Sequence, residues 1–198
     1  MIARMRKALA IAALGLCAGT GLTQEILLVA DNTSVRIETS MGDIVVDLDV
    51  SRAPMTVQNF VQYVVDGHYD GTVFHRVAAG FIVQGGGYSA DLTLKPTERT
   101  IINESGNGLS NLRGTIAMAR GNEPHSSDSQ FYFNLIGNNN LNPRPTRWGY
   151  AVFGKVTEGM EVVDQIGAVP TGASGEFERD VPIDPVIIEQ IVLLEEEE

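Results

Sequence analysis

Apolar and polar residues alternate near the beginning of the patterned part of the chain, and this alternation predicts two β-strands. The apolar positions are Val35 and Ile37, followed by Ile44, Val46 and Leu48. A two-residue period places such residues on one face of a strand. The residues between the two runs, Ser40 to Asp43, include Gly42 and predict a tight turn that joins the strands.

The period then changes from that of a strand to that of a helix. Apolar residues stand at i, i+3, i+4 and i+7, namely Val57, Phe60, Val61 and Val64. Pro54 lies where the first helical turn tolerates proline, and Gly67 ends the segment. The pattern therefore predicts an amphipathic helix with one buried face.

Six further β-branched and aromatic runs predict strands at 72–77, 81–85, 115–119, 131–135, 150–156 and 186–194. A short helix is predicted at 160–166, where Met160, Val163 and Ile166 face inward. About eight strands and two helices without a β-α-β rhythm disfavour a parallel sheet. A closed antiparallel barrel or a sandwich is therefore expected.

Three stretches between these elements have no period: 87–113, 121–128 and 137–149. Long irregular loops are uncommon inside a compact domain and are usually functional when they occur. Because each of these loops adjoins a predicted strand, we interpret them as the loops that build a site.

Residues 1–24 have the order of a secretory signal peptide. Arg4, Arg6 and Lys7 precede an apolar run that gives way to small residues around Cys17. We expect the signal to direct the protein to the periplasm and to be removed, which leaves one domain at 33–194 and an acidic tail at 195–198. The alternative is an uncleaved signal that anchors the protein to a membrane.

Charge narrows the possible partners. The chain of 198 residues has 14 basic and 25 acidic residues, and without residues 1–24 the balance is 11 to 25, a net charge of −14. Such a surface repels phosphate backbones, so nucleic-acid binding is not expected. Cys17 is the only cysteine and leaves with the signal, so we expect no disulfide and no cysteine metal site. No long apolar stripe is evident, so we expect a monomer.

Arg76 is the first candidate for chemistry, because it stands among the apolar residues Phe74, Val77 and Phe81. A guanidinium keeps its charge and is rarely buried without a partner. Arg76 therefore either forms a structural ion pair or faces a site, and the residues alone leave both interpretations open. The strand around Gln130, Tyr132 and Asn134 presents a polar and aromatic face that suits recognition of a peptide.

These residues belong to a set of motifs that closely resembles the cyclophilin-type peptidyl-prolyl isomerases, and most closely the bacterial periplasmic members. The motifs are PxTVxNF at 54–60, FHRV at 74–77, GFIVQGG at 80–86, AMAR at 117–120, SQFY at 129–132 and VFGKV at 152–156. The resemblance runs from about 35 to 194 with its spacing kept. It implies a mainly β fold, a closed eight-stranded antiparallel barrel with a helix over each end, and a site outside the barrel.

The resemblance also implies roles for individual residues. Arg76 corresponds to the catalytic arginine, with Gln84 as its hydrogen-bond partner and Phe81 beside it. The remaining candidates bind the substrate, as pocket wall, polar wall or backbone contact: Ile82, Ala119, Arg120, Gln130, Tyr132, Asn140, Leu141 and Tyr150. His75 is expected to point away from the site because it lies on the alternate strand position.

The implied activity is isomerisation of X-Pro bonds in proline-containing peptides and folding proteins, without cofactor, metal or covalent intermediate. The alternative is a proline-peptide binding module or chaperone with little turnover. A small ligand inside the barrel is disfavoured because the inward positions are filled by Val, Ile, Leu and Phe.

Four positions depart from the family's usual residues. Tyr132 replaces Phe and is expected to add a hydroxyl to the pocket, where it orders water or tunes peptide choice. Asn140 replaces the Trp of cyclosporin-sensitive members, so weak inhibition by that drug is expected. Tyr150 replaces the His of eukaryotic members, and Arg120 replaces the usual Asn.

Overall fold

The computed structural model describes Val29 and residues 33–194. The predicted signal at 1–24, with Cys17, and the acidic tail at 195–198 lie outside the described residues. Within the described part, no helix is both long and apolar enough to cross a membrane.

The described residues form twelve strands, two α-helices and one 3₁₀ turn. In chain order they are β1 Ser34–Thr39, β2 Gly42–Leu48, α1 Pro54–Val65, β3 Thr72–Val73, β4 Arg76–Ala78, β5 Ile82–Gly85, β6 Tyr88–Ser89, β7 Thr115–Met118, β8 Phe131–Asn134, the 3₁₀ turn Asn139–Leu141, β9 Val152–Glu158, α2 Met160–Ile166, β10 Thr171–Ser174, β11 Phe177–Pro182 and β12 Ile187–Leu194.

Ten of these strands form one strongly curled antiparallel sheet in the order β4-β5-β8-β7-β9-β2-β1-β12-β3-β6. The mainly β antiparallel fold with two helices is therefore confirmed. The ladder runs from β4 at one edge to β6 at the other and is a half-barrel, so the closed eight-stranded barrel is not confirmed. Strands β10 and β11 form a separate hairpin.

The main core lies on one face of the curled sheet and under α1. It combines the alternate strand positions with the apolar stripe of the helix, including Ile37, Val46, Phe60, Phe133 and Phe153. The helix begins at Pro54 without a side-chain cap of its own. Instead, Glu104 from the long loop accepts hydrogen bonds from the backbone N–H groups of Met55 (3.2 Å) and Thr56 (2.8 Å), so a distant carboxylate caps the first turn.

Two strand predictions need correction. The single strand expected at 72–77 is two strands, because β3 pairs with β12 and β6 whereas β4 pairs with β5. Phe74 and His75 between them are aromatic and buried, and aromatic residues are common in strands, so the run looks continuous in the sequence. The strand expected at 150–156 begins at Val152. Strands β6, β10 and β11 were not predicted.

Candidate active site

Five residues lie in a row across neighbouring strands. Arg76 on β4 is opposite Gln84 on β5, which is opposite Tyr132 on β8, then Ala117 on β7 and Val152 on β9. Residues opposite each other project from the same face of a sheet. The alternate positions, which belong to the main core, are Val77, Val83, Phe133 and Ile116. The row therefore lies on the face turned away from the core.

A second apolar cluster covers this outer face. Its buried members are Ile82, Ala117, Ala119, Tyr132, Leu141 and Val152, and the partly buried residues against it are Ala78, Phe81, Leu109 and Tyr150. The structure thus brings together the six apolar or aromatic candidates from five separate segments of the sequence. Ala78, Leu109, Ala117 and Val152 were not among the candidates.

A polar edge borders this cluster. Arg76 Nη1 donates to Gln84 Oε1 (3.4 Å), and Gln84 Nε2 donates to Gln130 Oε1 (3.1 Å). Gly87 makes room for this chain of side chains, because a Cβ at that position would lie 2.4 Å from Gln130 Cγ. Three of the five polar candidates, Arg76, Gln84 and Gln130, are therefore connected to one another.

Arg76 also has an acidic partner. Its Nε lies 3.7 Å from Oδ2 of Asp180, and the side chains of the two residues are 38% and 24% exposed. Arg76 is thus both an ion-pair member and an element of the polar edge, so the two interpretations of this arginine are compatible. Asp180 lies on the unpredicted hairpin and was not a candidate.

The Tyr132 hydroxyl is hydrogen-bonded to another buried side chain, and the expectation that it orders water or tunes peptide choice in the pocket stays a prediction. The hydroxyl donates to Oδ1 of Asn111 at 2.7 Å, and both side chains are buried. Burial raises the pKa of Tyr132 well above its usual value of 10.0, with Tyr150 adding to the shift, so the phenol stays neutral. Asn111 was missed because nothing in its loop marks it out among several asparagines.

Arg120 and Tyr150 form the opposite wall. The Arg120 guanidinium lies 4.7 Å from the centroid of the Tyr150 ring, a cation–π contact, and Tyr150 packs edge-on against Tyr132. Arg120 also donates to the carbonyls of Trp148 (3.1 Å) and Gly149 (3.2 Å). Its side chain therefore fixes the loop that leads to Tyr150, in addition to the backbone role that the resemblance implies.

The 3₁₀ turn carries the last two candidates. Leu141 is buried in the second cluster, and its carbonyl accepts from the Tyr150 N–H at 3.0 Å. Asn140 is exposed beside it, and its carbonyl accepts from the Arg147 guanidinium. Asn140 therefore borders the cluster without filling it.

His75 lies off this face and packs against the rings of Tyr88 and Phe177. Burial, opposed by a hydrogen bond with the Val73 backbone and assisted by the charge of Arg76, lowers the pKa of His75 from 6.5 to about 4. His75 is thus a neutral packing residue at pH 7.

The arrangement places a partnered cation, Arg76, at the edge of an apolar cluster. Such a site can hold a ring by its faces while a guanidinium donates to an atom at the rim. Among residues 33–194, no group of three or more His, Cys, Asp or Glu side chains is placed to hold a metal ion.

Comparison with known proteins adds independent findings. Residues 34–192 match the model of the family described as cyclophilin type peptidyl-prolyl cis-trans isomerase/CLD. The chain is 50% identical over 165 residues to a peptidyl-prolyl cis-trans isomerase of Streptomyces antibioticus, with 82% of this chain and 99% of that protein covered. It is 46% identical over 164 residues to peptidyl-prolyl cis-trans isomerase B of Escherichia coli strain K12, with coverage of 81% and 99%.

A solved structure shows the same similarity. The crystal structure of a Cryptosporidium parvum cyclophilin type peptidyl-prolyl cis-trans isomerase in the presence of the dipeptide Ala-Pro matches with a TM-score of 0.70 and 31% identity. The match covers 82% of this chain and 99% of that chain.

Proposed function

Because the chain belongs to the cyclophilin-type peptidyl-prolyl cis-trans isomerase family and is such an isomerase, we propose that Arg76 accelerates rotation about the X-Pro bond by localising the lone pair of the prolyl nitrogen. The observation that carries this mechanism is the cross-strand row that sets Arg76 beside the apolar cluster of Ile82, Tyr132 and Leu141.

Rotation about a peptide bond has a barrier of about 18–20 kcal/mol because the nitrogen lone pair is delocalised into the carbonyl. In the twisted state this lone pair is localised and becomes a hydrogen-bond acceptor. A guanidinium that donates to it stabilises the twisted state more than either planar state, and only such differential binding accelerates the step. The mechanism needs no nucleophile, metal or proton transfer.

Different residues of the site bind the proline ring, position the guanidinium and contact the rest of the peptide. The side chains of Phe81, Ile82, Tyr132 and Leu141 hold the proline ring, and Gln84 and Gln130 keep the guanidinium at the rim. Ala119, Arg120 and Tyr150 border the rest of the bound peptide. The similar structure with Ala-Pro supports proline-containing peptides as substrates.

A matched pair of variants tests the mechanism. Arg76→Ala is expected to lower kcat/KM on a short X-Pro peptide by roughly 100-fold or more, since a single donor aimed at a developing acceptor has about this effect. The control is Arg36→Ala, because Arg36 is also a strand arginine, is 42% exposed and has an ion pair of 3.9 Å with Asp43. Its rate should equal that of the wild type.

The result that would refute the arginine mechanism is wild-type turnover by Arg76→Ala in an NMR exchange or protease-coupled assay. A peptide Kd measured in parallel separates catalysis from binding. If the wild type binds the peptide without exceeding the uncatalysed rate, the protein acts as a proline-peptide binding module or chaperone instead.

The remaining parts of the proposal concern where the protein acts and its form. We propose export to the periplasm by residues 1–24, action there on folding proteins, and a monomeric state. The N-terminal mass of the protein purified from its own cell tests the export, and sedimentation tests the monomer. Barrel closure is also proposed, because only Phe74 and His75 separate β3 from β4, although β4 is the first strand of the ladder and β3 is the next to last.

A further inference from the structure

Asp180 lies in an irregular part of the β10–β11 hairpin. Thr171 pairs with Pro182 and Gly172 with Val181, but Ser174 pairs with Phe177, so the register shifts between the two regions. On β11 this leaves three residues, 178–180, opposite a single residue of β10. Irregularities of this kind bend a strand and redirect its side chains, and they are frequent beside active sites.

The backbone of Asp180 is itself unusual. Its φ is +66°, one of two positive values among the non-glycine residues that the structure describes. The left-handed region is costly for most residues and is tolerated best by Asn and Asp after Gly. Such a conformation persists where the surroundings hold it in place, and it often does so at functional sites.

The hairpin is anchored on both sides of Asp180. Phe177 packs against the rings of Tyr88 (5.2 Å) and His75 (5.8 Å), and His75 adjoins Arg76 in the chain. On the other side, Val181 is buried and Ile183 donates to the carbonyl of Pro170. The packing of Phe177 and Val181 on either side therefore fixes the position of the Asp180 carboxylate.

From this placement we propose that Asp180 is a positioning residue that orients the Arg76 guanidinium for catalysis. Gln84 holds Nη1 at 3.4 Å and Asp180 holds Nε at 3.7 Å, so the two partners fix the guanidinium at two different nitrogens. Arg179 also lies 3.8 Å from the same Asp180 oxygen, but its side chain is 83% exposed and solvent screens that contact. The inference rests on the proposed role of Arg76.

Two substitutions remove the carboxylate without disturbing the backbone. Asp180→Asn keeps the shape and the tolerance for positive φ, and Asp180→Gly removes the side chain where glycine is favoured. The control is Glu178→Gln, which changes the net charge equally on the same exposed strand. Half-exposed ion pairs have modest effects, so both Asp180 variants should lower kcat about three- to fivefold.

Because Asp180 acts through Arg76 and not on the peptide, KM should change less than twofold and Glu178→Gln should match the wild type. On an uncharged X-Pro peptide, 1 M NaCl should bring the wild-type kcat close to that of Asp180→Asn, since the Debye length is then about 3 Å. In an Arg76→Ala background, Asp180→Asn should have no further effect. The NMR signal of Arg76 Nε–H should shift in Asp180→Asn.

Failures of the two proposals are distinguishable. If Arg76→Ala is inactive and Asp180→Asn keeps the wild-type kcat and the wild-type Nε–H signal, the positioning role is wrong and the arginine mechanism stands. If Asp180→Asn lowers activity equally in the wild-type and Arg76→Ala backgrounds, Asp180 acts by another route and the inference is overturned. If Arg76→Ala itself keeps wild-type kcat, both proposals fail.

Discussion

The Tyr132 hydroxyl offers the sharpest test of the site's architecture. Its donation to Asn111 Oδ1 at 2.7 Å is buried, and the same oxygen also accepts from Asn134 Nδ2 at 3.2 Å. Tyr132→Phe removes one of two donors, so Asn111 is left with a partner. The cost is therefore that of one hydrogen bond, about 1 kcal/mol, and not the larger cost of an orphaned buried oxygen.

For a domain of this size, about 1 kcal/mol lowers Tm by roughly 2–4 °C. Because the hydroxyl already donates to a buried asparagine, kcat/KM should stay within twofold of the wild type. Reversible thermal unfolding and an isomerase assay on the same preparation measure both quantities. Tyr88→Phe is the matched control, since the Tyr88 hydroxyl lies 3.4 Å from the exposed Glu176 carboxylate and its loss should cost less than about 0.5 kcal/mol.

The reasoning would be refuted by the opposite pattern. A variant with unchanged Tm and a kcat/KM altered more than threefold would mean that the hydroxyl contacts the substrate. The sequence expectation for this position would then be confirmed, and the hydrogen bond to Asn111 would not be the hydroxyl's main role.

Three further predictions concern stability and binding. Glu104→Ala should destabilise the protein by about 1–2 kcal/mol because the first turn of α1 loses its cap, whereas Glu123→Ala should not; equal denaturation midpoints would contradict this. Burial lowers the pKa of His75 to about 4, so below about pH 6.5 this histidine binds a proton in the unfolded chain but stays neutral in the folded one. The contribution of His75 to the free energy of unfolding should therefore fall by up to about 1.4 kcal/mol per pH unit between pH 6.5 and 4 and level off below pH 4. His75→Phe should flatten that slope in urea titrations, and identical slopes would exclude the assignment. Trp148, the chain's only tryptophan, is exposed in the loop that Arg120 fixes, so its emission should shift on saturation with a proline peptide; an unchanged spectrum would place the peptide elsewhere.

The sequence predicted those elements that bury one face. The periodicities of β1, β2 and α1 match the structure because alternate or helically spaced residues enter the main core. The β10–β11 hairpin was not predicted for the opposite reason. Half of its ten strand residues are exposed, and a strand without a buried face shows no period of two.

The motifs identified the candidate residues but not the residues that hold their side chains in place. Asn111 and Asp180 act on Tyr132 and Arg76 from distant parts of the chain, and such contacts leave no local spacing to read. Asp180 also owes its place to a register shift and a positive φ, which follow from packing and not from its own sequence neighbours.

The composition of the irregular segments predicted that they are loops of the site, but not the hydrogen bonds that their asparagines form. Their backbone lies inside a compact domain, where N–H and C=O groups need partners. Asparagine supplies a donor and an acceptor on one short side chain. Asn103 Nδ2 donates to the Gly149 carbonyl (3.0 Å), Asn107 to that of Val152 (2.9 Å) and Asn138 to that of Phe81 (3.1 Å). The residues that mark these segments as loops thus fix the pocket before any peptide binds, which reduces the entropy lost on binding.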